Sequence, residues 1–225
     1  MSELDTLATD RRSSRAERQR EQRKRELLDV ALRVFGQRGY HQTRIADIID
    51  AAGIARGTFY LYFESKNAIF HALLDDLLSK VRSSVVGVSM APNAEPVHTQ
   101  IRDSVERVLA AFVENPNLTR VVLREAVGLD DEVDRKLADF HARLHAWLTT
   151  ALENGARLGL LRPTQFNTDG RERPANFELV AWAVLGTVKQ LVQLLVERGP
   201  SGSAPTVREA ADTILDHSLF GLAAR

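Results

Sequence analysis

The chain has 225 residues, 30 basic and 30 acidic side chains and no formal net charge, with 44% of its residues hydrophobic. Neutrality excludes a global field drawing the molecule onto nucleic acid, while the length accommodates a small N-terminal domain and a larger one with its own core. Cysteine is absent, which excludes disulfides and thiolate metal or redox centres and fits a reducing, cytoplasmic setting.

The first ten residues read as disordered, and residues 1–22 as a basic, partly disordered N-terminal arm. Between residues 11 and 25 stand Arg11, Arg12, Arg15, Arg18, Arg20, Arg23, Lys24 and Arg25 against Glu17 and Glu21, a local net charge of +6. Such a patch adds salt-dependent phosphate affinity even to a neutral chain. Residues 11–22 fit a flexible arm entering a groove, the start of the first helix, or a solubilising tail. The arginine-rich N-terminus has no apolar stretch, so no secretory signal is read.

Leu27, Leu28, Val30, Ala31, Val34 and Phe35 form a helical apolar stripe that stops at Gly39. Ile45, Ile48, Ile49 and Ala52 form the next, after which Gly53 can take the positive φ that ends a helix and turns the chain. In the following helix Phe59 and Phe63 share the buried face, and Gly57, Thr58, Tyr60 and Leu61 lie opposite. An outer face of glycine, threonine and tyrosine can approach a DNA groove closely. Arg56 can reach guanine edges or phosphate, Tyr60, Tyr62 and Lys66 offer a hydroxyl or ammonium at phosphate distance, and Ser65 suits the N-cap of the next helix. Phe35 and Tyr40 are assigned to the core.

The order Leu27, Leu28, Val30, Ala31, Phe35, Gly39, Tyr40, Thr43, Ile48, Ala52, Gly53, Ile54, Gly57, Thr58, Phe59, Tyr60, Tyr62, Phe63, Ser65 and Lys66 resembles the TetR/AcrR family of bacterial transcriptional regulators. The resemblance covers residues 23 to 75 and implies a helix-turn-helix domain, assigned here to residues 23–70, in which Thr58, Tyr60 and Lys66 sit where the family contacts DNA. The chain departs from the family pattern at three positions. Arg44 replaces a second threonine, so a capping box to Asp47 is expected to be lost and Thr43 or Arg44 to meet phosphate directly. Ile49 replaces a small residue before the turn, and Ala55 replaces a serine that caps or binds phosphate. The DNA-binding set is therefore Thr43, Arg44, Arg56, Gly57, Thr58, Tyr60, Tyr62 and Lys66.

Beyond Phe70 every segment reads as helix. A connecting helix runs from Lys66 to Val86, and a glycine- and proline-containing stretch breaks it at residues 87–96. Val97 to Glu114 follows, Asn115 and Pro116 stop it, and Asn117 is expected to cap a short helix to Val127. Asp130, Asp131, Glu132 and Asp134 open a long helix to Leu158, the charge that suits its dipole. Residues 160–174 read as irregular. Asn176 caps an apolar helix from Phe177 to Glu197, residues 199–205 form a flexible turn, and Thr206 with Glu209 makes a capping box for a last helix to Phe220. No strand pattern or repeat is visible. Leu179 to Val196 is eighteen residues long with only Lys189 charged, near the length of a membrane span. Lys189 beside Thr187, Gln190 and Gln193 is costly in lipid, so this helix is read as buried in protein.

The expected fold is all-α, with about nine helices: the three-helix N-terminal domain and a larger helical ligand-binding and dimerisation domain over residues 71–225. One helix-turn-helix contact is weak alone, so two copies reading a palindrome are expected. The resemblance implies pairing through the last two long helices, for which Val184, Val188, Leu191, Leu195 and Ile214 are the candidates. It also implies a pocket for an unknown small-molecule effector, assigned to Phe112, Arg120, Arg124, Phe140, His141, Leu144, Trp147 and Trp182. His141 and His145 stand four apart, a spacing two metal ligands can share, but no third ligand is visible, so neither a metal nor another cofactor is assigned. An enzyme is disfavoured by the lack of a nucleophile–base pair or phosphate loop. A helical interaction module or an architectural DNA-binding protein is the competing reading.

Overall fold

The computed structural model describes residues 3–166, 171–199, 202 and 205–220. Nine helices and one hairpin occur among the described residues: α1 (Glu3–Arg38), α2 (Ile45–Ala52), α3 (Arg56–Tyr60), α4 (Lys66–Ser84), α5 (Val97–Val113), α6 (Pro116–Glu125), α7 (Asp131–Arg157), β1 (Thr164–Phe166), β2 (Glu172–Pro174), α8 (Phe177–Arg198) and α9 (Val207–Phe220). They divide into two units, Met1–Asp76 and Leu77–Arg225, with the boundary inside α4.

In the first unit the stripes meet as their spacing predicts. Leu27, Ala31, Val34 and Phe35 of α1, Ile48 of α2, Phe59, Phe63, and Ile69, Phe70 and Leu74 of α4 are all buried. Aromatic rings anchor this core: Tyr40 lies 5.3 Å from Phe35 and 4.9 Å from Phe70, centroid to centroid. Tilted pairs at such distances add to the area they bury. Residues 3–10, expected to be disordered, depart from expectation: α1 is helical from Glu3 without a break at residue 22, so of the readings open for residues 11–22 the structure has the start of the first helix. Arginine and glutamate are good helix formers, which local polarity alone does not reveal.

The second unit is built on α8. Its Val192, Leu195 and Val196 bury against Leu109 of α5 and Ala210, Ala211 and Ile214 of α9, and α6 and α7 also pack on it. Helix starts follow the capping residues. The Asp130 carboxylate accepts from the Glu132 and Val133 amides at 3.0 and 2.8 Å, Asn176 accepts from Leu179 at 3.1 Å, and Thr206 exchanges bonds with Glu209 as a capping box. One cap differs: Asn115, not Asn117, precedes α6, and Pro116 fills its first turn, where the missing N–H costs nothing. The segment expected to be irregular contains an antiparallel hairpin pairing Thr164 with Pro174 and Phe166 with Glu172. Three-residue strands are too short to show an alternating pattern. Of the turn expected over residues 199–205, positions 200, 201, 203 and 204 lie outside the described residues.

Candidate nucleic-acid interface

The turn between α2 and α3 is set by one glycine. Gly53 has φ 62°. Its amide bonds Asp50 O at 3.2 Å and the Ile54 amide bonds Ile49 O at 3.3 Å, which closes α2 and reverses the chain. α3 then starts without a side-chain cap at Ala55, as the loss of serine there implies. Phe59 is fully buried and Phe63 nearly so, their centroids 6.3 Å apart. That anchoring turns the opposite face outward: Arg56, Gly57 and Tyr60 are exposed and Thr58 is half-buried. The Arg56 guanidinium lies 5.8 Å from the Tyr60 ring centroid, so a cation and a phenol stand side by side on a face with space above Gly57.

Other expected contact residues have structural roles. Thr43 is 2% exposed and its hydroxyl donates to Gly39 O at 2.7 Å, so its side chain is turned inward and closes the loop between α1 and α2. Half-buried Lys66 donates through Nζ to Tyr40 O at 2.8 Å and Thr43 O at 3.0 Å, with Nζ 4.1 Å from the Tyr40 ring centroid. Tyr40 also donates its hydroxyl to Asn67 Oδ1. Tyr62 is half-buried and Arg44 exposed. The capping box at α2 is only half lost. Arginine has no acceptor, but the Asp47 carboxylate still accepts the Arg44 amide at 2.8 Å and pairs with Arg38 at 2.5 Å. The Arg44 amide bond, reinforced by the Arg38 charge, holds the Asp47 carboxyl below its ordinary range. Ser65 caps α4, its Oγ accepting from the Ala68 amide at 3.0 Å.

Two neighbours of this face escaped the sequence assignment. Leu61 is 70% exposed; periodicity placed it outward, but an apolar side chain carries no phosphate signal, although it can meet a thymine methyl. Lys24 reaches 6.0 Å from the Phe63 centroid, a proximity that nothing local in the sequence encodes.

Residues 27–73 match the family model described as bacterial regulatory proteins, tetR family. The chain is also 29% identical to the uncharacterized HTH-type transcriptional regulator YdgC of Bacillus subtilis, over 87% of this chain and 91% of that protein. The head of the chain, residues 27–73, is that of the TetR family of bacterial regulators. This class is DNA-binding and not enzymatic. The regulator is 37% identical to the HTH-type transcriptional repressor KstR2 of Rhodococcus jostii over a shorter stretch, 37% of this chain and 44% of the relative. Two solved structures share its fold: the TetR-family regulator PfmR of Thermus thermophilus, with TM-score 0.66 at 22% identity over 88% of this chain and 99% of that one, and FadR of Bacillus subtilis in complex with stearoyl-CoA, with TM-score 0.62 at 18% identity over 88% and 98%.

In the regulator's second unit the expected effector residues do not gather at one place. Half-buried Phe112 packs on the α5–α8–α9 core. Arg120 donates to Val196 O at 3.1 Å, and Arg124 pairs with Glu197 at 2.6 Å and holds its carboxyl below the ordinary range. These three lie at the C-terminal half of α8. Phe140, His141, Leu144 and Trp147 belong to α7, which meets the other half of α8: His145 stacks on Trp182 at 4.5 Å and its Nε2 faces Glu178 O at 3.0 Å. Trp182 and Val196 are about 21 Å apart along the helix axis. His141 directs Nδ1 at Leu137 O, 2.7 Å away in its own helix, so the two histidines face different carbonyls.

The expected dimer residues divide as well. Leu195 and Ile214 are buried in the chain's own core, Val188 and Leu191 pack against that core, and Val184 is half-buried. The exposed residues of α8 are instead Leu179, Trp182, Ala183, Gly186 and Gln190, together with the charged Glu178, Lys189, Glu197 and Arg198, with Leu179 63% and Trp182 51% exposed. α8 is long and apolar enough to cross a membrane, yet only 22% of its most apolar window is buried within the chain. The full burial expected for a helix apolar on nearly all sides is not met within the chain. With apolar residues all around the helix, spacing could not say which face turns inward.

Proposed function

We propose that this regulator acts in the cytoplasm as a homodimeric repressor that reads a palindromic operator and releases it when a small-molecule effector binds. The reading rests on the outward face of α3, where Arg56, Gly57, Thr58 and Tyr60 are presented as a unit by the buried Phe59 and Phe63. Arg56 and Thr58 face base edges, and Tyr60, Tyr62 and Arg44 serve the phosphates. A second copy covers the apolar face of α8 around Leu179 and Trp182, since an exposed surface of this kind favours association. Two-fold pairing sets two α3 helices on successive turns of one DNA face.

Repression follows from steric blocking of a promoter, and KstR2 bears the name repressor. Release requires that the effector bind one arrangement of the two reading heads better than the other. Since a structural neighbour holds stearoyl-CoA, fatty acyl thioesters head the panel of amphipathic candidates, scored first by thermal shift and then by operator release. The DNA reading is tested by gel shift on a duplex from immediately upstream of the regulator's own coding sequence. Saturable, salt-sensitive binding that weakens in Tyr60→Phe and Arg56→Ala is expected. Equal affinity for random duplex would leave an architectural DNA-binding protein instead.

A further inference from the structure

Lys66 stands at the first position of α4, three residues beyond the buried Phe63, where an ammonium group could simply reach out to a phosphate. The described geometry turns it inward. Nζ donates to two backbone carbonyls, Tyr40 O and Thr43 O, and lies 4.1 Å from the Tyr40 ring centroid. These acceptors bracket the loop that leads from α1 into α2. The Thr43 hydroxyl ties the same loop back to Gly39 at 2.7 Å, and the Tyr40 hydroxyl bonds Asn67, the residue after Lys66. The start of α4 and the entry to α2 are thus stitched by charge-assisted bonds within one unit of the chain. Because α2 enters at Arg44 and leads through Gly53 into α3, the direction of that entry sets the direction of the reading helix.

We infer that Lys66 is a positioning residue: its ammonium fixes the loop from Tyr40 to Thr43 on the start of α4 and so aims α3, instead of serving chiefly as a phosphate contact. The inference rests on the DNA reading proposed above. It specifies that Lys66 acts on the ratio of operator to non-specific affinity, because a misdirected α3 loses base contacts while the exposed arginines still find phosphates.

The test uses the full chain and its Lys66→Met variant, which keeps the apolar stem, together with Lys66→Arg, which keeps a charged donor. Binding is measured by fluorescence anisotropy to the upstream duplex and to a random duplex across a salt series, with the folded fraction read by circular dichroism. In Lys66→Met, operator affinity is expected to fall about tenfold or more, the scale of losing one well-aimed base contact, while random-duplex affinity and both salt slopes stay unchanged. Lys66→Arg should recover part of the preference. A salt slope lower by about 0.9 on both duplexes would mark Lys66 as a phosphate contact and overturn the inference. Equal losses on both duplexes matching a lower folded fraction would reduce it to a stabilising residue, and no change would dismiss it. If the unsubstituted chain shows no preference for the upstream duplex, the DNA reading itself falls.

Discussion

Gly53 and Gly57 lie four residues apart, and alanine at each should have opposite effects for separable reasons. A β carbon at either position meets nothing within 4 Å, but Gly53 has φ 62° whereas Gly57 lies within α3. At Gly53 the cost of alanine is therefore purely conformational, about 1–2 kcal/mol for placing an L-residue in the left-handed region. For a chain of this size that lowers the melting temperature by roughly 2–4 °C per kcal/mol if the transition is two-state. At Gly57 alanine suits the helix and should stabilise by up to about 1 kcal/mol, yet it thickens the face that must approach DNA. Denaturant unfolding and anisotropy on the upstream duplex, run on both variants, separate the two. Gly53→Ala should lose stability and retain affinity per folded molecule; Gly57→Ala should keep or gain stability and lose affinity. Asparagine at Gly53, which tolerates this region better, should recover part of the loss. The reasoning fails if Gly53→Ala is as stable as the parent, or if Gly57→Ala binds the duplex undiminished.

Leu195→Ala should cost about 2–5 kcal/mol of folding stability, as expected for a truncated core side chain. Leu179→Glu, at the most exposed apolar side chain of α8, should leave folding nearly unchanged and shift the proposed dimer to monomer in sedimentation at micromolar concentration. The Asp47 carboxyl is held below its ordinary value of 3.8, so its contribution to stability is present above that pH and is lost as pH falls through the lower folded value. Asp47→Asn should therefore be less stable than the parent by a constant amount above that pH, and acid unfolding curves of the two should converge as pH falls through the folded value. Arg15, Arg18 and Arg25 are exposed on the continuous α1; replacing all three with glutamine should flatten the salt dependence of binding by about 0.9 for each phosphate given up and affect operator and random duplex alike.

The three-helix head was legible in sequence because its signals are local. Phe59 and Phe63 share a face by spacing, Gly53 marks the turn, and Ser65 caps the next helix; each needs only four or five neighbours to be recognised. The internal bonds of Thr43 and Lys66 are not legible for the opposite reason, since the Lys66 acceptors lie 26 and 23 residues away and polar side chains near a reading helix look alike whether they turn in or out. In the second unit the helix limits were readable from Asp130, Asn176 and Thr206, whose caps are again local. The phase of α8 was not. Val184, Val188, Leu191 and Leu195 form a plausible seam, but so do Leu179, Trp182 and Gly186, and only packing against α5 and α9 decides which is internal.

α3 is five residues long, far below the length at which a helix holds itself in water. Its shape is borrowed from Phe59 and Phe63, so the outward side chains proposed to touch DNA bear almost none of the cost of keeping it folded. Substitutions at Arg56, Thr58 or Tyr60 can therefore accumulate without a stability threshold to stop them. A lineage carrying this head is free to drift toward new operators while its core stays fixed, and libraries restricted to these outward positions are the natural place to redirect it.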